Sequence, residues 1–182
     1  MHCFKFLFLI PLLFMIGCSS ANIEQYSETE PRFILEEALR GEFSAHGQFI
    51  DRFGQLRRQF TADIKGEWDE AEQTLTLNEQ FEYFDGQTDQ RIWTIKKTDD
   101  HTYSGQANDV DETVPIRSFG NAVRMAYTYP VETKERTIAM QFEDWLWLQK
   151  DGVIINKTKV SKWGIKVGEI LITFVPQQSL ID

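Results

Sequence analysis

Gln59-Phe60-Thr61-Ala62-Asp63-Ile64-Lys65-Gly66-Glu67-Trp68 alternates polar and apolar side chains without a break. Successive side chains of a strand point to opposite faces, so this period of two describes a strand with one face in a core and the other in water. Its inward set is Phe60, Ala62, Ile64, Gly66 and Trp68. Residues 43–50 read the same way, and Asp51-Arg52-Phe53-Gly54 supplies the turn between the two. On the other side Leu75, Leu77, Phe81 and Tyr83 alternate with Thr74, Thr76, Gln80 and Glu82. Asp85-Gly86 then offers the hairpin dipeptide whose positive φ suits right-twisted strands.

Further strands are expected at 91–97, 102–107, 122–129, 137–148, 153–159 and 169–175, with Asp151-Gly152 as a second hairpin signal. That makes about nine strands. A meander of this length exposes two unpaired edges, and closure removes them. The expected fold is therefore all-β: a single antiparallel up-and-down barrel, lipocalin-like, with a two-sheet sandwich as the alternative. Before the strands, Pro31 opens a stretch in which Ile34, Leu35, Ala38 and Leu39 repeat at helical spacing. Gly41 stands where a left-handed cap would end that short N-terminal helix.

The chain begins with an apolar run, residues 6–16, behind Lys5, and ends it in Met15-Ile16-Gly17-Cys18. The run is too short to span a bilayer comfortably and reads as a removed signal. Its end resembles the lipobox at which bacterial lipoproteins are lipidated and cut, with Met15 where leucine is usual. The expected organisation is a signal peptide over 1–17, a lipidated Cys18 with a flexible tether to residue 31, and a barrel domain over 32–182. As free chain, that tether would reach roughly 20 Å.

Composition narrows the function. The 182 residues suit one domain, and a net charge of −9 repels nucleic acid. Cys3 leaves with the signal and Cys18 is expected to be acylated, so no disulfide is expected. His46 and His101 lack metal-ligand spacing, and His46 falls on the outward face of its strand. No metal and no cofactor is expected. Asn108-Asp109-Val110-Asp111-Glu112 does not match a calcium loop and reads as an acidic solvated loop. The usual nucleophile elbow, cysteine nucleophile and phosphate loop are absent, which speaks against an enzyme.

The inward faces mix large residues (Phe60, Trp68, Phe81, Met140, Phe142) with small ones (Ala45, Gly47, Ala62, Gly66, Gly105, Ala107). Small residues lining a barrel either leave volume for a ligand or mark bends in a filled interior. Glu79 interrupts the Leu75–Tyr83 face and Asp144 the face of Ile138, Met140, Phe142, Leu146 and Leu148. Both carboxylates should point inward and need a partner such as Arg91, Arg117 or Arg124. The candidate ligand-binding residues are thus Phe60, Ala62, Ile64, Trp68 and Glu79, followed by Phe81, Tyr83, Met140, Phe142 and Asp144. Lys157, Lys159, Lys162 and Lys166 surround Trp163, an arrangement suited to anionic headgroups or simply to a solvated strand face.

Phe43-Ser44-Ala45-His46-Gly47-Gln48-Phe49-Ile50-Asp51-Arg52-Phe53-Gly54, Asp144-Trp145-Leu146-Trp147-Leu148 and Ser161-Lys162-Trp163-Gly164-Ile165 resemble an uncharacterised family of proteobacterial lipoproteins, a lipocalin- or calycin-like domain of unknown function. The resemblance covers nearly all of the mature chain and carries no catalytic residues with it. It implies neighbourhood to fatty-acid and membrane-lipid modification. Ser19 after the cysteine resembles outer-membrane sorting, so the expected address is the outer membrane, facing the periplasm. The expected role is binding or carrying a fatty acid or other lipid in a barrel cavity. The alternatives are an envelope interaction protein with a filled core, docking through Trp145 and Trp147, and a lipid-modifying enzyme using the inward carboxylates.

Overall fold

The computed structural model describes residues 21–133 and 135–177. The signal segment and Cys18 lie outside the described residues. Ten strands form one closed antiparallel barrel: β1 (Gly41–Asp51), β2 (Leu56–Asp69), β3 (Thr74–Tyr83), β4 (Thr88–Lys97), β5 (Thr102–Ala107), β6 (Val110–Phe119), β7 (Ala122–Glu132), β8 (Thr137–Leu148), β9 (Ile154–Lys162) and β10 (Ile165–Pro176). Each strand pairs with its sequence neighbours, and β1 closes on β10 from Phe43 opposite Pro176 to Asp51 opposite Gly168. The barrel expectation holds and the sandwich does not.

Ten strands replace nine because the acidic loop is in fact the start of β6. Its inward residues Val110, Val114, Ile116 and Ser118 are buried, and Pro115 faces out opposite Ser104, where its missing N–H matters least. The turn glycines behave as read: Gly54, and Gly86 and Gly152 of the two hairpin dipeptides, have φ of 80°, 83° and 82°.

Up-and-down connectivity puts alternate turns at opposite ends. The β2–β3, β4–β5, β6–β7 and β8–β9 turns share one end with a plug. The expected helix shrinks to a single turn, α1 (Leu35–Ala38), after which Gly41 (φ 104°) swings the chain into β1. Phe33, Leu35 and Leu39 are buried in the main core. The plug is also held by polar groups. Phe33 N–H donates to the Gly120 carbonyl at 2.7 Å and the Ser118 hydroxyl donates to the Phe33 carbonyl. Glu36 accepts from Lys97 Nζ at 2.6 Å and from the Tyr103 hydroxyl at 2.7 Å.

The expected free tether is corrected from Asn22 onward. Asn22 caps a 3-10 turn, Ile23–Tyr26, whose Ile23 is buried. Glu24 pairs with Arg117 at 2.5 Å, Tyr26 packs on Trp145 with ring centroids 5.9 Å apart, and Thr29 bonds Asn121 at 2.8 Å. This strap lies over β6 and β7. It also covers part of the Trp145 and Trp147 strip that was expected to meet another protein.

Candidate ligand cavity

The inward side chains leave a cavity of about 360 Å³, within the roughly 300–1,000 Å³ usual for small-molecule sites. Nine of the ten candidate residues line it: Phe60, Ala62, Ile64, Glu79, Phe81, Tyr83, Met140, Phe142 and Asp144. Trp68 does not. It sits near the β2–β3 turn at the plugged end, and its indole N–H donates to Glu70 at 2.7 Å. A filled core is therefore overturned, although the small residues contribute less to the opening than expected. A Cβ on Gly47 would collide with the Phe60 ring, one on Gly66 with the Leu39 carbonyl, and one on Gly105 with Ile116. Those three glycines admit neighbours, while Ala45 and Ala62 face the cavity.

The plug seals one end with Leu35 and Leu39. Towards the other end, the mouth, the lining is Phe49, Arg58, Tyr83, Asp89, Asp109 and Tyr129. Arg58 lies 3.4 Å over the Tyr83 ring and reaches Gln87 at 2.5 Å, yet its buried Nε has no partner. Arg91 Nε bonds both Asp109 oxygens, at 3.0 and 2.8 Å, and its guanidinium lies 4.7 Å from the Tyr129 ring. Arg117 and Arg124 are outside, paired with Glu24 and Glu143. Of the three arginines named as partners for the inward carboxylates, only Arg91 reaches the interior.

Glu79 is 8% exposed and Asp144 4%. Asp144 is well supported: Thr158 and Asn156 donate to Oδ1, the latter at 3.3 Å. Burial still lifts its pKa, against the pull of Thr158, Asn156, the Tyr127 phenol and Arg91. Glu79 has no side-chain hydrogen bond among the described residues. Burial pushes its carboxyl up to about 7, with Arg91 opposing and the charges of Asp144 and Asp109 adding to the rise. The interior thus holds a carboxyl that changes charge near neutral pH inside an apolar wall. Sequence reading missed Asn156, Thr158 and Tyr127. The first two stand at period two between Ile154 and Val160, a signal of inward polar positions in β9. Among the described residues no group of three or more His, Cys, Asp or Glu could hold a metal ion.

Among solved structures the chain is similar to the S-type phycobiliprotein lyase CPES from Guillardia theta. The identity is 10% and the TM-score 0.57, over 79% of this chain and 91% of that one. It is also similar to a protein of unknown function from the DUF3598 family of Nostoc punctiforme, at 17% identity and a TM-score of 0.56. That match covers 81% of this chain but 51% of the other, about half its length. Identities this low speak for the barrel and not for an activity. No curated protein matches the sequence. A family match does extend over residues 12–176, nearly the whole chain, and by it the chain belongs to the family described as Protein of unknown function (DUF3833).

Proposed function

We propose that this protein is a bacterial envelope lipoprotein, anchored through an acylated Cys18 to the outer membrane and facing the periplasm, that carries a fatty acid or similar lipid in its barrel. The cavity is the observation that carries this reading: Phe60, Phe81, Phe142 and Met140 give an acyl chain an apolar wall, and each methylene moved there from water contributes about 0.8 kcal/mol. A carboxylate head would stay at the mouth beside Arg58, whose Nε lacks a partner, and Arg91. No covalent chemistry is needed.

The test begins with the chain from Ser19 onward. Solvent extraction followed by mass spectrometry should release a co-purified lipid, and an environment-sensitive fluorescent fatty acid should bind saturably and be displaced by unlabelled fatty acid. A clean extract with no saturable uptake refutes the carrier. Turnover of a lipid ester that Asp144→Asn abolishes would favour the enzyme instead. The anchor is tested separately: labelled palmitate should enter the full chain and not its Cys18→Ser variant.

A further inference from the structure

We propose that one lip of the barrel mouth docks on the surface of an anionic phospholipid bilayer. The lip consists of two neighbouring turns, β1–β2 and β9–β10, joined because β1 pairs with β10 and Arg52 N–H donates to the Val167 carbonyl at 2.9 Å. It presents Phe53 (71% exposed), Trp163 (85% exposed), Leu56 and Ile165 to solvent at the end where the cavity opens.

Trp163 is the most telling of these. The β9–β10 connection is a two-residue hairpin turn, Trp163-Gly164, with φ of 51° and 79°. A turn with positive φ at both positions favours Asn-Gly or Asp-Gly, and a bulky residue there is strained. Tryptophan at this position therefore costs backbone energy and recovers almost none of it by burial within the chain. Tryptophan is also the side chain that favours the headgroup level of a bilayer, with its ring partly in hydrocarbon and its N–H in the polar layer.

Charge supports the same occupant. Residues 49–58 and 160–170 hold five cations (Arg52, Arg57, Arg58, Lys162, Lys166) and two acids (Asp51, Glu169), in a chain of net charge −9. Arg52 and Lys162 lie 4.8 Å and 5.1 Å from the Phe53 and Trp163 rings. Among the described residues neither cation is in an ion pair. The opposite side of the mouth carries Asp109, Asp111 and Glu112 at the β5–β6 turn. The exposed apolar and basic residues thus concentrate on one side of the mouth, although Phe84 (72% exposed) and Arg136 also stand at the mouth, in the β3–β4 and β7–β8 turns. An anionic surface would attract that side and repel the other.

Docking does not depend on what the cavity holds. The barrel, plug and strap lie within 22–176, so the chain from Ser19 keeps the whole folded unit and serves for the test. It should sediment with vesicles of phosphatidylcholine and phosphatidylglycerol, and much less with phosphatidylcholine alone. Charge reversal of Arg52 and Lys162 to Glu should lower partition on the anionic vesicles at least tenfold, at about fivefold per cation lost. Trp163→Asn gives the turn a residue it accepts and should keep the fold while also lowering partition. Phospholipids brominated near the headgroup should quench wild-type tryptophan fluorescence and not that of Trp163→Asn. Melting temperature should fall in neither variant and should rise in Trp163→Asn as the strain at φ 51° is relieved, and probe uptake in solution should be unchanged in each. Absence of wild-type binding to anionic vesicles, or equal binding by the variants, overturns the proposal. So does a dimer that Trp163→Asn dissolves without any vesicle binding. In each case probe uptake still reports separately on the carrier.

Discussion

At the plugged end Leu75, Ile116 and Ile154 are almost wholly buried, whereas towards the mouth Phe49, Phe81, Tyr83 and Met140 keep part of their surface. The polar groups differ in the same sense. Glu36, in the plug, meets a lysine and a phenol, and these hydrogen bonds outweigh burial and hold its pKa below the ordinary value. Glu79, on the cavity wall, meets no donor among the described residues, and burial drives it the other way. Alternating strands of one barrel thus make a sealed, satisfied end and an open, under-satisfied one. The second is where a ligand has something to gain.

Substituting the same residue type at both ends should separate them most strongly. Gly66→Ala drives a methyl into the Leu39 backbone, which cannot move without lifting the plug, so the loss should exceed about 4 kcal/mol in urea unfolding. Gly47→Ala meets the Phe60 ring first, a side chain that can swing into the cavity. It should cost about 1–3 kcal/mol and weaken probe uptake. Equal losses would erase the distinction. A gentler comparison is Leu75→Ala, expected to cost about 2–5 kcal/mol with uptake retained, against Phe81→Ala, expected to cost less and to change probe affinity more.

The two carboxylates sharpen the contrast through pH. Glu79 has a folded pKa above its ordinary 4.5, so its contribution to stability is full below about 4.5 and is lost as pH rises through about 7. Glu79→Gln should therefore be more stable than wild type at pH 8, by about 3 kcal/mol, and gain nothing at pH 4. Uptake of an uncharged apolar probe should fall through pH 7 in wild type and stay flat in the variant. Glu36 works in the opposite direction: its contribution is present above 4.5 and is lost as pH falls below it. Glu36→Gln should cost about 1 kcal/mol at pH 7 and converge on wild type in acid, the smallest of these effects.

The barrel was readable because period-two alternation and Gly-containing turns are local signals, and the Phe60–Trp68 face was nearly right on that basis alone. Trp68 escaped because alternation assigns a face without saying how far along the barrel the cavity extends. β6 escaped because its first residues are acidic and Pro115 argues against a strand, whereas a closed barrel tolerates a proline that faces out. Inward Glu79 and Asp144 were visible as breaks in an apolar face. The choice of Arg91 over Arg117 and Arg124 depended on register across several strands, which no single strand encodes. The strap was invisible for a similar reason: Ile23 and Tyr26 carry no periodicity, and the strap's polar partners, Arg117 for Glu24 and Asn121 for Thr29, lie some ninety residues away in sequence.

That strap alters the geometry of the proposed carrier. With residues from Asn22 onward fixed at the β6–β7 turn, a leash from Ala21 to a Cys18 acylated as proposed would span about 10 Å at most. The strap it would join lies at the plugged end. A protein held so closely by its heels would aim its opening away from the membrane that holds it, towards whatever surface lies across the gap.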